Sequence, residues 1–498
     1  MPEKPPNRLE RPGDYALSEI VIQNAAGERM DIKPFVLELN LYEGIHQHTM
    51  VGSLVITDNS NLVNLVPLQG NERLYFRVST PGSTGQDDII DASAESGHSY
   101  TIYKLSDRRK ITNGVHSYIL YFGTKEHMRN LRTKVSQAYD GPLQGAVLSI
   151  INDKEYLHSS KHCFYEPTRN KDKIVIGNKR PFDAIQQICD RALSKNGKGA
   201  GYYFYETTKG FHFRSWESMV AYQSVADPSL KDFQLLELTT QTQLTPNKQG
   251  RVADNQLAID DFKFIQNFDT TYMQGSGAYS QKVLVYNVYD KSFATTNWKY
   301  HAFYEDMAHT DKNPIISADP VDHDPKEPSD GPGDKTVSHY PTAYTTLIPT
   351  TRYAHGDNTG LFGDDPGSEG LTEAMKHSSE QVVKYGNVLQ VTIKGNTKIQ
   401  AGQLVKMNIL PIDVDKSKRT MTKGREYPFD DHFSGRYVVR QIHHRIMKEG
   451  YQMIMDCVKD GVKTKYEEGD IYYAGKPDKV KPFKDIYGLD TEEYFVRS

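Results

Sequence analysis

The sequence of 498 residues contains little cysteine, little tryptophan and no long apolar run. Its 3 cysteines, Cys163, Cys189 and Cys457, are odd in number and show no CxxC spacing. This argues against a disulfide framework and a structural zinc site, and it predicts buried, reduced thiols. No stretch approaches the roughly 18 apolar residues of a membrane span, and the charged, proline-rich N-terminus lacks the apolar core of a signal peptide. We therefore expect a soluble chain.

The sequence also lacks a large excess of either positive or negative charge. With 60 Lys and Arg against 64 Asp and Glu, the net charge is -4, so the basic excess of an autonomous nucleic-acid binder is absent. The sequence also lacks GxGxxG, GxxxxGK[ST], HExxH and GxSxG, so the common dinucleotide, NTPase, zinc-protease and hydrolase motifs are excluded. We predict a chain without catalytic residues, cofactor or metal.

The patterning that is present predicts a mainly β chain with several domains. Between residues 15 and 124, short alternating segments separated by Gly, Asn and Asp indicate an antiparallel barrel. In one of these segments, Phe35, Leu37, Leu39 and Leu41 are predicted to face inward, and Glu38 and Asn40 outward. A second β set, with the same character, follows a helix in residues 371–461.

An α/β insert lies between these two sets. GAVLSIINDKEYL and RPFDAIQQICDRALSK have helical spacing, with Pro181 in a first turn, and GYYFYETTKGFHFRSW predicts a β-hairpin. The predicted division is an N-terminal arm (1–14), a first β-barrel (15–124), the α/β insertion (125–220), a β-rich connection (221–307), a Pro/Gly/Asp-rich arm (308–370), a helix with a second β-barrel (371–461) and a C-terminal extension (462–498).

Several side chains are candidates for a binding or metal site. His46 and His48 are two residues apart and could offer two imidazoles to a metal ion, but no third ligand is identifiable. We therefore interpret them as a polar pair at a strand edge. His443 and His444 are adjacent in a strand and should point to opposite faces. An acidic run in the predicted arm lacks the spacing of a calcium-binding loop, so we interpret its carboxylates as solvated charges on a loop. That run comprises Asp319, Asp322, Asp324, Glu327 and Asp330.

Aromatic residues are the other candidates. Those of the predicted hairpin could stack sugars or bases, although core packing explains them better; they are Tyr202, Tyr203, Phe204, Tyr205, Phe211 and Phe213. The C-terminal extension is aromatic without periodicity, which suggests anchors that bury against another surface, or packing on its own chain. Its rings are Tyr466, Tyr472, Tyr473, Phe483, Tyr487, Tyr494 and Phe495.

The C-terminal β set carries a family resemblance. NVLQVTIKGNTKIQAGQLVKMNILP followed by FSGRYVVRQIHHRIMKEGYQMIMDCVKDG resembles the second tube-forming domain of baseplate central hub proteins from contractile-tailed, T-even-type bacteriophages. The matching positions are Gly395, Ile399, Gly402, Val405, Gly435, Tyr437, Val439, Ile442, His444, Tyr451 and Asp460. In this stretch, Tyr437, Val439 and Gln441 are expected on one strand face and Val438, Arg440 and Ile442 on the other. The long arm and the insertion VDKSKRTMTKGREYPFDDH depart from the T-even pattern.

The resemblance implies a structural baseplate hub located in the virion tail and assembled in the host cytoplasm. Such a hub is a homotrimer whose paired barrels meet a hexameric tail tube and a trimeric cell-puncturing spike. Implied partners are the spike, the tail tube initiator, the tape-measure protein and baseplate wedge proteins, with DNA passing through the channel and no membrane insertion. Alternatives are the hub of a related contractile injection or secretion system, or a carbohydrate-active tail enzyme or lectin.

Overall fold

The computed structural model describes residues 10–65, 67–81, 89–93, 95–96, 98–169, 171–195, 201–220, 236–240, 256–267, 269–287, 291, 293–300, 304, 307–315, 345–350, 379, 382–384, 387–409, 429–430 and 433–462. The chain is mainly β, with 52% strand and 17% helix, which confirms the predicted fold class. In the described part, no helix is long and apolar enough to cross a membrane.

The first β region is built from eight strands and two short helical turns. In chain order they are β1 (Ala16–Gln23), β2 (Arg29–Asp31), a 3-10 turn (Lys33–Phe35), β3 (Val36–Gly44), β4 (Val51–Asp58), α1 (Leu62–Leu65), β5 (Arg73–Ser79), β6 (Ile89–Ala92), β7 (Tyr100–Thr112) and β8 (Val115–Thr124). The sheet order is β2-β1-β5-β7-β8-β4-β3, with β6 on the side of β5. All these pairings are antiparallel.

The insertion follows β8 directly. Its elements are α2 (Lys125–Arg132), β9 (Val135–Pro142), α3 (Leu143–Asn152), β10 (Cys163–Tyr165), β11 (Lys171–Lys179), α4 (Pro181–Cys189), β12 (Tyr202–Thr207), β13 (Gly210–Ser215) and α5 (Trp216–Val220). Both predicted helices and the hairpin β12–β13 are present, and Pro181 opens α4, where its missing N–H costs nothing. The two helices and the hairpin share one apolar core.

The remaining elements complete the second β region. They are β14 (Leu236–Thr240), β15 (Ala258–Gln266), α6 (Thr270–Gly275), β16 (Ser280–Asn287), β17 (Phe293–Lys299), β18 (Asn313–Pro314), β19 (Thr345–Thr350), β20 (Val388–Lys394), β21 (Leu404–Asn408), β22 (Gly435–Met447), β23 (Gly450–Val458) and β24 (Gly461–Val462). The ring β22-β21-β14-β15-β20-β23 closes through the pairing of β22 with β23, which makes a six-stranded barrel.

The closed barrel is not purely antiparallel, contrary to the sequence prediction. Strand β14 runs parallel to both β15 and β21. Strand β14 lies in the segment that was predicted to connect the insertion to the arm. The barrel therefore includes a strand from outside residues 371–461, where the second β-barrel was predicted. A parallel neighbour needs a crossover rather than a hairpin turn, and sequence separation supplies one here.

One long strand joins the two β regions. The first half of β22 pairs with β21, and its second half pairs with β3 of the first region, so a single 14-stranded sheet runs through both. Their buried side chains form one core, from Ile20 and Leu54 to Val391 and Met455. The two regions therefore cannot rotate against each other without breaking both a ladder and a core.

Bulges change two of the predicted strand faces. The register shifts between Val36 and Glu38, so Leu37 is 43% exposed while Leu39 is buried. Asn40, predicted to be outward, is 5% exposed, and its Oδ1 contacts Nε2 of His443 in the neighbouring strand β22 at 2.6 Å. In β22, a second shift between Val439 and Gln441 returns Ile442 to the same core as Tyr437 and Val439. Strict alternation fails at each bulge.

Candidate functional site

The positions that carried the family resemblance lie in or directly beside the second β region, and Gly402, His444 and Asp460 lie at its junction with the insertion and the first β region. Each of the eleven is buried. Gly395 leaves room for the Tyr451 ring, which a Cβ would overlap. Gly402 has φ +78° and makes room for the Tyr205 hydroxyl from the insertion hairpin. The motif therefore encodes close contacts between segments rather than reactive groups.

Glu43 lies at the fork where β22 exchanges β21 for β3. Its fully buried carboxylate accepts the backbone N–H of Ala401 at 2.9 Å and that of Thr208 at 3.2 Å. Ala401 precedes β21 and Thr208 is in the hairpin turn, so one side chain links the first region, the barrel and the insertion. Buried N–H groups that leave a ladder need such an acceptor.

Beside this fork, His444 lies between Tyr451 and Glu43. Its Nδ1 is 2.6 Å from the Tyr451 hydroxyl, and its Nε2 is 3.7 Å from Glu43 Oε1. Burial, followed by the charge of Glu43, raises the pKa of Tyr451 well above its usual range. Tyr, His and Glu in a row look like a proton relay, but His444 and Tyr451 are each 1% exposed and Glu43 is fully buried. A substrate has no route to them in this arrangement.

His443, as predicted, points to the opposite face. Its Nε2 is 2.6 Å from Asn40 Oδ1, and its ring stacks on Tyr42 with centroids 4.6 Å apart. His46 and His48 are likewise in structural surroundings. Burial and the nearby charge of Arg440 lower the pKa of His46 to about 4, and His48 Nδ1 is 2.9 Å from the Phe204 carbonyl oxygen.

A buried ionic clamp holds the insertion on the first β region. Lys161 Nζ donates to Glu126 Oε2 at 2.9 Å and to Glu206 Oε1, and the three residues are at most 8% exposed. Glu206 Oε2 also accepts the backbone N–H of Met50 at 3.0 Å and the Thr124 hydroxyl at 3.1 Å. The clamp therefore joins Met50, directly before β4, to β8, α2 and β12.

The electrostatics of the clamp follow from two carboxylates sharing one ammonium. Burial alone would lower the pKa of Lys161, but Glu206 and Glu126 raise it. Burial raises the pKa of Glu206, and the negative charge of Glu126 adds to this. A cavity of about 20 Å³ lies beside Lys161 and Glu206, lined also by His98 and Tyr100. It holds roughly one water and is far too small for a sugar.

A second buried anchor surrounds Asp460, directly after the barrel strand β23. One carboxylate oxygen accepts the Thr310 N–H and hydroxyl at 2.8 and 2.9 Å. The other accepts the Trp216 indole N–H at 3.0 Å and lies 2.9 Å from His309 Nδ1. Burial alone would raise the pKa of Asp460, but the charge and hydrogen bond of His309 hold it well below its usual range.

This anchor ties the start of the predicted arm to the barrel. His309 Nε2 is 2.9 Å from the Tyr304 carbonyl oxygen, so both ring nitrogens face acceptors and the ring must donate twice. Residues 308–315 of the predicted arm thus pack against the barrel, and Thr310 is fully buried. Local patterning did not predict this contact, because Thr310 and Asp460 are 150 residues apart in the chain.

The aromatic hairpin residues form core rather than a stacking surface. All strand residues of β12 and β13 are buried, and Phe204 stacks on Phe211 with centroids 5.3 Å apart. The seven aromatic residues of the C-terminal extension and the acidic run 319–330 lie outside the described residues. Within the described part, no three His, Cys, Asp or Glu side chains are grouped to hold a metal ion, and all three cysteines are free and buried.

No family model matches the chain, and no curated protein matches it by sequence. Solved structures are similar in fold. A tail protein from Neisseria meningitidis MC58 matches 90% of this chain and 97% of its own, with TM-score 0.46 and 11% identity. A 43 kDa tail protein of prophage MuSo2 from Shewanella oneidensis matches 89% and 98%, with TM-score 0.46 and 8% identity.

A third similar structure is a component of the type VI secretion system of E. coli, described as similar to T4 tail proteins. It matches 89% of this chain and 76% of its own, with TM-score 0.36 and 8% identity. The chain is therefore similar to phage tail proteins and to a secretion-system component.

Proposed function

We propose that the chain is the structural hub of a contractile phage tail baseplate, a homotrimeric adaptor between the hexameric tail tube and the trimeric cell-puncturing spike. The observation that supports it most directly is the fusion of two β regions through β22 into one sheet with one core. Three such chains around an axis present six β regions, which suits a hexameric neighbour on one side and a trimeric one on the other.

The buried clamps suit a part that transmits force. Glu206, which is paired with Lys161, fixes the insertion to the first region through Met50 and Thr124, and Asp460 fixes the insertion to the barrel through Trp216. Breaking either contact leaves an uncompensated buried charge, so the arrangement resists relative motion of the domains. A hub pushed by a contracting tail needs such rigidity, whereas an enzyme with a lid needs the opposite.

We also propose that the hub is catalytically silent. Two buried carboxylates that converge, Glu126 and Glu206, are bridged by Lys161 beside a cavity of about 20 Å³. A glycosidase pair needs a sugar between its carboxylates. Assays on peptidoglycan and host polysaccharide should show no turnover. Activity that survives purification and is lost in a single Asp or Glu variant would contradict this proposal.

The mass and symmetry of the purified particle test the hub assignment. Light scattering across a concentration series, with and without the spike protein, should reveal a trimer, and averaged particle images should show a threefold ring. A chain that stays monomeric at every concentration, and that forms no threefold ring with the spike, would refute the assignment.

A further inference from the structure

A short segment at the root of the predicted arm crosses the end of the second β region; it comprises residues 307–315 and is called the strap here. Its strand β18 pairs with β24. The Asp311 carboxylate accepts the backbone N–H of Arg436, at the start of β22, at 3.1 Å. The Arg436 guanidinium in turn donates to the carbonyl oxygen of His309 at 3.4 Å. The strap is therefore attached to the barrel through polar contacts, and such contacts can respond to protons.

Three hydrogen bonds from Thr310 and Trp216 converge on the buried carboxylate of Asp460 beside the strap. Thr310 donates its N–H and its hydroxyl to Oδ1, and Oδ2 accepts the Trp216 indole N–H. The Thr310 hydroxyl itself accepts the N–H groups of Asp460 and Gly461 at 3.2 and 3.0 Å. With both lone pairs occupied, this hydroxyl can only donate to the carboxylate. These surroundings leave no place for a proton on Asp460, so its carboxylate is ionised.

The His309 ring is consequently held as an imidazolium. Its Nδ1 is 2.9 Å from Asp460 Oδ2, which carries no proton, and its Nε2 is 2.9 Å from the Tyr304 carbonyl oxygen, which cannot donate. A neutral imidazole has a single N–H, so it would satisfy only one of these two oxygens. The ring is buried and stacks on the Tyr304 ring with centroids 3.7 Å apart. Loss of one ring proton would therefore leave a buried nitrogen facing an oxygen with no hydrogen between them.

The charged and titratable side chains around the His309–Asp460 pair belong to several elements. In the described part of the chain they are Asp311 of the strap, Glu217 of α5, which accepts the Ala308 N–H, Arg436 of β22, Lys384 and Tyr304. Burial and the charges of Asp460 and Asp311 raise the pKa of Tyr304. Imidazole is the one side-chain type in this set that ordinarily titrates between pH 5 and 8. A response of the strap to pH near neutrality therefore points to His309.

We infer that the strap is a proton-dependent latch, closed on the barrel while His309 carries its second ring proton and released as that proton is lost. When the strap opens, the imidazole meets water and gives up its second proton above about pH 6.5. Above this pH the closed strap binds one proton more than the open strap, so each further pH unit raises the opening equilibrium constant about tenfold. The stabilisation is fully present below about pH 6.5 and is lost as the pH rises. This inference is independent of the proposed hub function.

Amide hydrogen exchange of the full chain, followed by mass spectrometry between about pH 7 and pH 8.5, tests the latch. Observed rates are divided by the intrinsic rates at each pH to give protection factors for the peptide that contains the strap. We expect wild-type protection to fall about tenfold per pH unit. In His309→Gln, protection should be lower but the same at every pH, because the side chain does not titrate. The matched control is His46→Gln, which should keep the wild-type slope, since burial and the charge of Arg440 lower the pKa of His46 to about 4.

Wild-type protection that does not change with pH overturns the inference, and so does a slope that survives in His309→Gln; neither result affects the hub proposal. If His309→Gln does not fold, the imidazole ¹⁵N signals of the wild-type chain decide. His309 Nδ1–H and the Trp216 indole N–H point at the same oxygen of Asp460, so a nuclear Overhauser contact between them identifies the ring. Two protonated ring nitrogens at pH 7.5 support the latch, and one bare nitrogen overturns it.

Discussion

Replacing Lys161 by Met is the sharpest test of the clamp. The substitution keeps most of the apolar stem but removes the ammonium, so Glu126 and Glu206 remain in a site where they are at most 2% exposed. Removing one partner of a buried ion pair costs about 3–5 kcal/mol. Here two carboxylates lose the same cation, so we expect a loss at the upper end of that range at pH 7.

The loss should depend on pH in a stated direction. Without Lys161, the charge and the hydrogen bond that oppose burial most strongly at Glu206 are lost, and only the Met50 N–H hydrogen bond still lowers the pKa of Glu206. A raised carboxyl pKa means that stability falls as pH rises from the unfolded value, near 4, to the folded value. The deficit of K161M should therefore shrink as pH falls from 7 towards 5, because the stranded carboxylates take up protons.

Urea unfolding followed by tryptophan fluorescence measures both effects, since one of the 2 tryptophans, Trp216, lies in α5 of the insertion. The matched control is E126Q/K161M/E206Q, which removes every charge of the clamp and should recover most of the lost stability. A loss below about 1 kcal/mol for K161M, or a deficit that grows on acidification, would show that the clamp does not hold the insertion.

Three further predictions follow from the other contacts. Asp460→Asn should cost about 2–4 kcal/mol of stability at pH 7 and expose the 308–315 segment to amide exchange. Because the pKa of Asp460 is depressed, wild type should keep this stabilisation above pH 4 and lose it only in stronger acid. Retained protection of the segment in the variant would contradict the anchor. Gly402→Ala should destabilise the chain by about 2–4 kcal/mol through backbone strain and overlap with Tyr205. The control Gly114→Ala, at a position with φ +83° and open space around it, should cost about 1–2 kcal/mol through strain alone. Equal shifts of the melting temperature in the two variants would refute the overlap. Deleting residues 466–498 should leave the melt unchanged and weaken spike binding or trimer assembly, and unchanged binding would remove the extension from the interface.

Local patterning predicted the elements well where each is defined by its own residues. Pro181 marked the start of α4, alternating aromatics marked β12 and β13, and the three cysteines were expected to be buried thiols. Apolar residues that recur every 2 or 3.6 positions indicate a strand or a helix with a buried face, and each of these elements has such a face. The same reasoning placed His443 and His444 on opposite faces of β22.

The predictions failed where a distant segment decides the outcome. Asn40 is buried beside His443 of β22, which lies about 400 residues later in the chain, and Ile442 faces the core because of a bulge. Strand β14 was missed because its five residues lie in a polar, Thr-rich stretch and its partners are parallel strands. None of these neighbours can be inferred from a local period.

The same distinction explains why the junction escaped a motif search. Glu43, Lys161 and Asp460 are single charged residues with ordinary neighbours in sequence, and each gains its role from partners 35 to 358 residues away. Gly395 and Gly402 were visible as positions of the family pattern, but the rings that fill the space beside them, Tyr451 and Tyr205, belong to other strands. A binding motif repeats ligand types at short spacing, whereas a junction spreads its contacts over the whole chain. For an adaptor, whose work is to hold domains in one geometry, the informative residues are therefore buried charges and glycines where segments cross, and only the folded chain brings them together.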